Sequence, residues 1–207
     1  VTGAAQHPLY YDYYGFPEHT YRLTWPAPAV PALAGAITDL LGAAGIVCRQ
    51  EMQRGYDHGV FIPFKLVYPA ADIPVVQLSL RTGLDPAFHG RVGQALAPLR
   101  ERGVLIVGSG MSYHNNRALM GGGDPRADAA AFDAWLNAAC ALPEPARGQE
   151  LARWAQAPGG RAAHPREEHL LPLMVVAGAG GPQPGQAVYR DQVLGAAVSG
   201  FRFGAGA

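Results

Sequence analysis

Charge is scarce in this sequence. Asp, Glu, Lys and Arg make up 15% of its 207 residues, 16 basic against 16 acidic, and no block of like charge stands out. Nucleic-acid binders carry a basic stripe or patch, so no nucleic-acid partner is expected. Aromatics do sit beside arginines at Tyr21-Arg22 and Phe201-Arg202, but singly. Cysteine is also scarce. Cys48 and Cys140 stand outside any Cys-x-x-Cys pair, which argues against a disulfide framework or a thiolate zinc site. Reduced thiols in a cytoplasmic protein are the expectation. No apolar run reaches the roughly 18 residues that a membrane span needs. The longest candidate, Leu170 to Gly181, is interrupted by Pro172. No membrane partner is therefore expected. The opening residues, Val1 to His7, lack an initiator Met, a basic stretch and an apolar signal core. That start reads as the interior of a longer protein or as a processed terminus.

Hydrophobic residues make up 49% of the chain, enough at this length for a sizeable core. The 27 glycines and 18 prolines are scattered rather than repeated, so disorder is not the reading. Residues 7–28 are rich in Tyr and Pro and are broken by Gly15 and Pro17, which predicts an ordered loop. Val30, Leu33, Ile37, Leu40 and Leu41 recur at helical spacing, and Gly45 suits the position just past a helix end. Residues 60–68 read as a buried helix or strand. Residues 74–80 and Val104–Val107 read as strands, and 193–203 as a terminal strand. Helices are expected over 86–102, 126–142, 147–156 and from His164 to Ala177. Strands alternating with helices predict an α/β fold: a single domain over 1–207 with a central mixed, largely parallel sheet flanked by helices.

Three of the seven histidines stand in unusual contexts. Asp57-His58-Gly59 places an imidazole in a tight turn before an apolar element. Such a turn can aim the ring into a cleft or merely cap the element. Gly108-Ser109-Gly110-Met111-Ser112-Tyr113-His114-Asn115 follows the expected strand 104–107. Ligands in α/β sheets bind beyond the carboxyl ends of strands, and glycines there let backbone approach closely. A histidine in that loop suits general acid/base work, because its unperturbed pKa lies near neutrality. The bland alternative is a glycine turn with a surface histidine. His164-Pro165-Arg166-Glu167-Glu168-His169 places His169 one turn into the expected helix, on an acidic N-terminus. Imidazole there is a frequent metal ligand, or simply a satisfied polar residue. Nitrogen donors with carboxylates nearby suit Fe(II) or Zn(II).

Taken together, Tyr11-Asp12-Tyr13-Tyr14-Gly15-Phe16-Pro17, Trp25-Pro26-Ala27-Pro28, Asp57-His58-Gly59, Ile73-Pro74-Val75-Val76-Gln77, Gly108-Ser109-Gly110 with His114-Asn115, Phe132-Asp133-x-Trp135-Leu136 and Glu168-His169-Leu170-Leu171-Pro172-Leu173 form a set. It resembles the LigB-type extradiol ring-cleavage dioxygenases of the DOPA-dioxygenase-like branch, over nearly the whole chain. The resemblance implies a catechol substrate, O2 as co-substrate and a non-haem Fe(II), with Zn(II) its expected stand-in in a crystal. It implies His114 and His58 as catalytic residues and His169 as a metal ligand. Asn115, Tyr14 and Asp12 fall in segments that would border the substrate. The resemblance also implies two N-terminal strands, ending in His-Gly-Ser-Pro-like and Ser-Ala-His-Trp steps, each bearing a metal-ligating histidine. Neither step occurs here. Two other functions share these residues: a metal-free binding or scaffold protein on the same fold, and a zinc hydrolase with Glu168 as base. A homodimer is left open.

Overall fold

Apolar periodicity sets where most helices form, and local caps set where they stop. The computed structural model describes residues 1–204. They divide into two compact units, Val1–Ser79 and Leu80 onward. In the first, α1 spans Pro31–Ala43 and buries Ala34, Ile37 and Leu41 on one face. Pro31 sits in its first turn, where a missing N–H costs nothing. Its end is a Schellman turn: Gly45 takes a φ of 71°, and Ile46 N–H donates to the Leu41 carbonyl at 2.8 Å. Helix α2, His58–Val67, resolves the ambiguous 60–68 segment as helix. Its core residue is Phe61, which packs with Trp25 and Tyr56.

The parallel pairing expected of the fold is present here in a reduced form. Val1 to Gly3 lies alongside 49–51, with Glu51 N–H donating to the Val1 carbonyl and Gly3 N–H to the Glu51 carbonyl. Thr2 N–H donates to the Gln77 carbonyl on the other side. A second parallel bridge joins Leu9 to Tyr56. The 74–80 segment thus bonds to Thr2 through Gln77 and to the Pro28 carbonyl through Val75 N–H at 2.9 Å, and it forms no ladder among the described residues.

The second unit is mostly helical. It contains α3 (Pro86–Leu96), continued by a 3-10 turn to Arg102, then α4 (Arg126–Cys140), α5 (Ala146–Leu151), α6 (Gly160–Ala163) and α7 (Leu171–Ala179). Asp85 caps α3 by accepting from Ala87 N–H at 2.9 Å. Two strands close the chain, β1 (Gln186–Val193) and β2 (Ala196–Arg202), paired antiparallel. Their turn, Leu194-Gly195, has φ of 51° and 85°, the left-handed pair that lets two strands reverse in two residues. The sequence reading placed β2 and missed β1. All of β1 is exposed, so it carries no buried alternation to read. The expected strand at 104–107 forms no ladder, and it is not buried: Leu105 is 76% exposed and Val107 51%. Its alternating burial keeps a strand's period of two. A ladder needs a neighbour on the segment's edge, and this segment has none among the described residues.

The core of this unit gathers Phe132, Leu136, Leu151, Trp154, Leu171 and Met174. Each such side chain, fully buried, is worth about 1.5–3 kcal/mol. Helices α3 and α7 cross where both carry glycine. A Cβ on Gly93 would run into the Val175 carbonyl, and one on Gly178 into the Gly90 carbonyl. Arg147 is a buried cation in this unit, fully enclosed. Its guanidinium donates to the carbonyls of Ala177 at 3.0 Å, Gly181 at 2.6 Å and Gln183 at 2.5 Å. It also pairs with Glu144 at 3.1 Å and lies over the Phe203 ring. One cation thus ties α5 to the end of α7 and to the chain leading into β1. Removing one side of a buried ion pair leaves carbonyls and a carboxylate unpaired, so Arg147→Leu should cost about 3–5 kcal/mol in urea unfolding.

Candidate active site

The turn preceding α7 does not match the expected helix. Residues 164–170 form turns, and α7 begins at Leu171. Pro172 explains the shift. It sits in the first turn of α7, and a helix running through from His164 would place it in the interior, where proline breaks it. His169 therefore lies on the turn feeding α7 rather than one turn inside a helix.

The loop bearing His114 lies against this turn. Met111 N–H donates to the His169 carbonyl at 3.1 Å, and His114 N–H to the Ala163 carbonyl at 3.0 Å. Asn115 Nδ2 donates to the Ala162 carbonyl at 2.8 Å, and its Oδ1 accepts from Ala118 N–H at 3.2 Å. Ser112 Oγ accepts from Ser199 N–H of β2 at 2.9 Å. Tyr113 is buried in the core as the loop's anchor. The glycine signal has a different meaning from the one expected. A Cβ on Gly110 would strike the His169 carbonyl, so glycine there admits the backbone of the neighbouring turn rather than a ligand.

The consequence is that the rings of His114 and His169 stack, with centroids 3.3 Å apart and planes 11° from parallel. Both rings are half-buried. His169 also lines a groove of about 320 Å³, with Ile106, Met111, Leu173, Val176 and Phe201 among its walls. A second cavity of about 330 Å³ lies by Leu119, Pro125 and Leu194, and no histidine lines it.

His164, named in the sequence only as part of the His169 context, is fully buried beneath this loop. Its Nε2 lies 3.0 Å from the Ser112 carbonyl. A carbonyl only accepts, so Nε2 carries the proton. Burial pushes the ring's pKa down to about 4, outweighing the Ser112 hydrogen bond that raises it, and charge on His114 and His169 acts in the same direction as burial.

In the first unit, Asp12 and His58 are brought together. Asp12 Oδ1 accepts from the His58 backbone N–H at 3.0 Å and from its ring Nδ1 at 2.8 Å. Asp12 thus supplies from afar the carboxylate acceptor that Asp57, the residue before α2, does not provide. With Nδ1–H committed, the outer nitrogen of His58 is left as the acceptor. Burial raises the Asp12 pKa, but the His58 hydrogen bonds and charge together hold it below the usual value. Tyr13 packs edge-on to His58, with Phe61 behind. Tyr11 and Tyr13 donate to the carbonyls of Leu23 and Thr20, so these tyrosines brace their own loop. Tyr14 is 91% exposed. His89 is satisfied: its Nε2 accepts from Arg81 N–H and its Nδ1 lies 2.7 Å from the Asp85 carbonyl.

The profile for the catalytic LigB subunit of aromatic ring-opening dioxygenase matches residues 1–201. The chain belongs to the LigB family. It is 43% identical over 174 residues to a 4,5-DOPA dioxygenase extradiol of Beta vulgaris, covering 83% of this chain and 64% of that protein. It is 38% identical over 218 residues to the dioxygenase tasH of Hapsidospora irregularis, covering 99% of this chain and 67% of that protein. The crystal structure of the uncharacterized protein JW3007 from Escherichia coli K12 superposes with a TM-score of 0.78 at 33% identity, over 89% of this chain and 77% of that one. The LigB-like α/β fold expected from the sequence is therefore present. The chain spans about two thirds of the length of the curated relatives it matches.

LigB dioxygenases are generally metal-dependent and use O2. His169 offers one nitrogen donor of the type that Fe(II) and Zn(II) take. Among the described residues, no group of three or more His, Cys, Asp or Glu is gathered to hold a metal ion. A three-ligand face is the usual need, so these residues alone do not fit one. No described helix is long and apolar enough to cross a membrane. Cys48 and Cys140 are free, and burial pushes the Cys140 thiol up to about 12.

Two outcomes follow. The folded His164 pKa lies below the free value, so between pH 6.5 and about 4 the unfolded chain binds a proton that the folded one does not. Stability present above pH 6.5 is lost as pH falls toward 4, by up to about 3 kcal/mol. Urea unfolding at pH 7.5 and 4.5 should show a smaller difference for His164→Gln than for the wild type. Asp12→Ala removes the remote acceptor at the start of α2 and should cost about 1 kcal/mol, seen as faster amide exchange at His58–Phe61.

Proposed function

We propose that this chain forms the catalytic domain of an extradiol dioxygenase that opens the ring of a catechol, DOPA-like or related, with O2 and non-haem Fe(II). The observation that carries the reading is the stacked pair His114 and His169, with His169 on the wall of an apolar groove. Relatives named as 4,5-DOPA dioxygenase extradiol support the same substrate class. In this reading His169 would give one nitrogen to the metal, and its other ligands would have to come from outside these residues. When bound, the metal would supply a place where catechol and O2 meet. His114 moves a proton to and from the reacting oxygens. His58, its tautomer set by Asp12, accepts a hydrogen bond from a catechol hydroxyl. Asp12 then acts through His58, while Tyr14 borders the ring. Asn115 holds the His114 loop, with both ends of its amide engaged there. Two free cysteines suit a cytoplasmic location.

The test is oxygen uptake and formation of a yellow ring-opened product from L-DOPA or a simple catechol by the full-length protein loaded with Fe(II). His114→Ala should lower kcat by about 10²-fold or more with iron retained. His169→Ala should lose the iron itself, read by elemental analysis. No uptake by iron-loaded wild-type protein sinks the proposal. Absence of bound metal in the wild type would point instead to a metal-free binding protein, and ester hydrolysis without O2 to a zinc hydrolase.

A further inference from the structure

We infer that His164 is a positioning residue, whose buried ring sets the place of the His114 loop by donating to the Ser112 carbonyl. The inference rests on the proposed ring-opening function for its meaning, but its geometry is independent of it. Three consecutive residues, 162 to 164, face the loop. The Ala162 carbonyl takes Asn115 Nδ2, the Ala163 carbonyl takes His114 N–H, and His164 Nε2 gives to Ser112 at 3.0 Å. The last is the only one of the three in which the 162–164 chain uses a side chain. That ring has little freedom. Phe132 meets it edge-on at 5.4 Å and 69°, and Trp154 at 5.9 Å and 88°. A rigid donor therefore fixes the carbonyl two residues before His114.

Packing alone does not require a histidine here. Phenylalanine has a similar ring and would fill the same aromatic slot without burying polar nitrogens. The Nδ1 edge of His164 is buried with no hydrogen-bond partner among the described residues, a cost that the apolar ring would avoid. What histidine adds at this position is the N–H toward Ser112. Misplacing a proton-transfer group by about 1 Å can cost on the order of 10²-fold in rate. A loop held by a rigid buried donor is a direct means of avoiding that.

The experiment compares His164→Phe with His164→Gln in the full-length, iron-loaded protein. Phe keeps the ring and loses the donor, whereas Gln loses the ring and keeps an N–H that can reach Ser112. His164→Phe should lower kcat by about 10- to 100-fold while KM for the catechol stays within about twofold. Deuterium exchange should rise at residues 110–116 and not across α3, α4 and α7. His164→Gln should recover kcat and exchange protection to within about fivefold of wild type. Wild-type kcat and exchange in the Phe variant would overturn the inference. So would equal damage in both variants, or exchange raised throughout the unit, since both mark a packing role. Should the Phe variant not fold, the Gln variant decides: protected 110–116 amides support positioning, and their loss at an unchanged Tm overturns it. If the wild type opens no catechol, the functional reading fails, and the exchange comparison at 110–116 still tests the positioning by itself.

Discussion

Four hydrogen bonds between the 111–115 loop and the 162–169 chain decide what this part of the molecule can do. Met111 to His169, His114 to Ala163, Asn115 to Ala162 and His164 to Ser112 join two segments some fifty residues apart in sequence. Three of them use a backbone carbonyl as the acceptor on the 162–169 side, so they set the relative place of two main chains. Each is worth about 1 kcal/mol net. Acting together, they hold two loop histidines face to face, which neither loop could do alone. Glycine at 110 is a condition of that join, because any side chain there would push the His169 carbonyl away.

The surrounding unit is built to keep the 162–169 chain still. Its two ends are anchored in different ways. On one side His164 is wedged among Phe132 and Trp154. On the other, α7 is pressed against α3 at a glycine crossing and pinned at its C-terminal end by Arg147. A buried guanidinium is an expensive device, and it holds here because carbonyls and Glu144 surround it. Rigidity in the scaffold and function on its loops is a common division, since loop side chains are precise only when their backbone has nowhere to go. The Asp12–His58 pair follows the same logic in the first unit: a carboxylate from a distant loop fixes both the start of a helix and the tautomer of its first residue.

Much of the candidate site was marked in the residues, and the parts that were not share a cause. His58, His114 and His169 stood out because each sits beside glycine, proline or acidic residues at an element boundary, and the motif set named the family. Asp12 was marked only as bordering the substrate. Its engagement with His58 spans 46 positions, a distance over which no local spacing speaks. His164 went unremarked as a group in its own right, because a histidine before a proline reads as helix preamble. Only its burial and its contact with Ser112 give it a role. The run 164–177 looked helical from its apolar content, yet Pro172 moved the helix start to Leu171, and His169 moved with it onto a turn.

By itself the sequence determined the LigB family, the positions of the long helices, the helix end at Gly45, and which three histidines to single out as candidates. These are local matters: side-chain period, proline and glycine stereochemistry, and residue types that chemistry needs. Tertiary structure alone decided which histidines meet, that the glycine loop lies against backbone, that Val104–Val107 runs without a ladder, and that exposed β1 pairs with β2. Pairing depends on which edge or carbonyl a segment finds in space. That partner is chosen by the folding of residues far away in the chain, and no pattern within the segment records it.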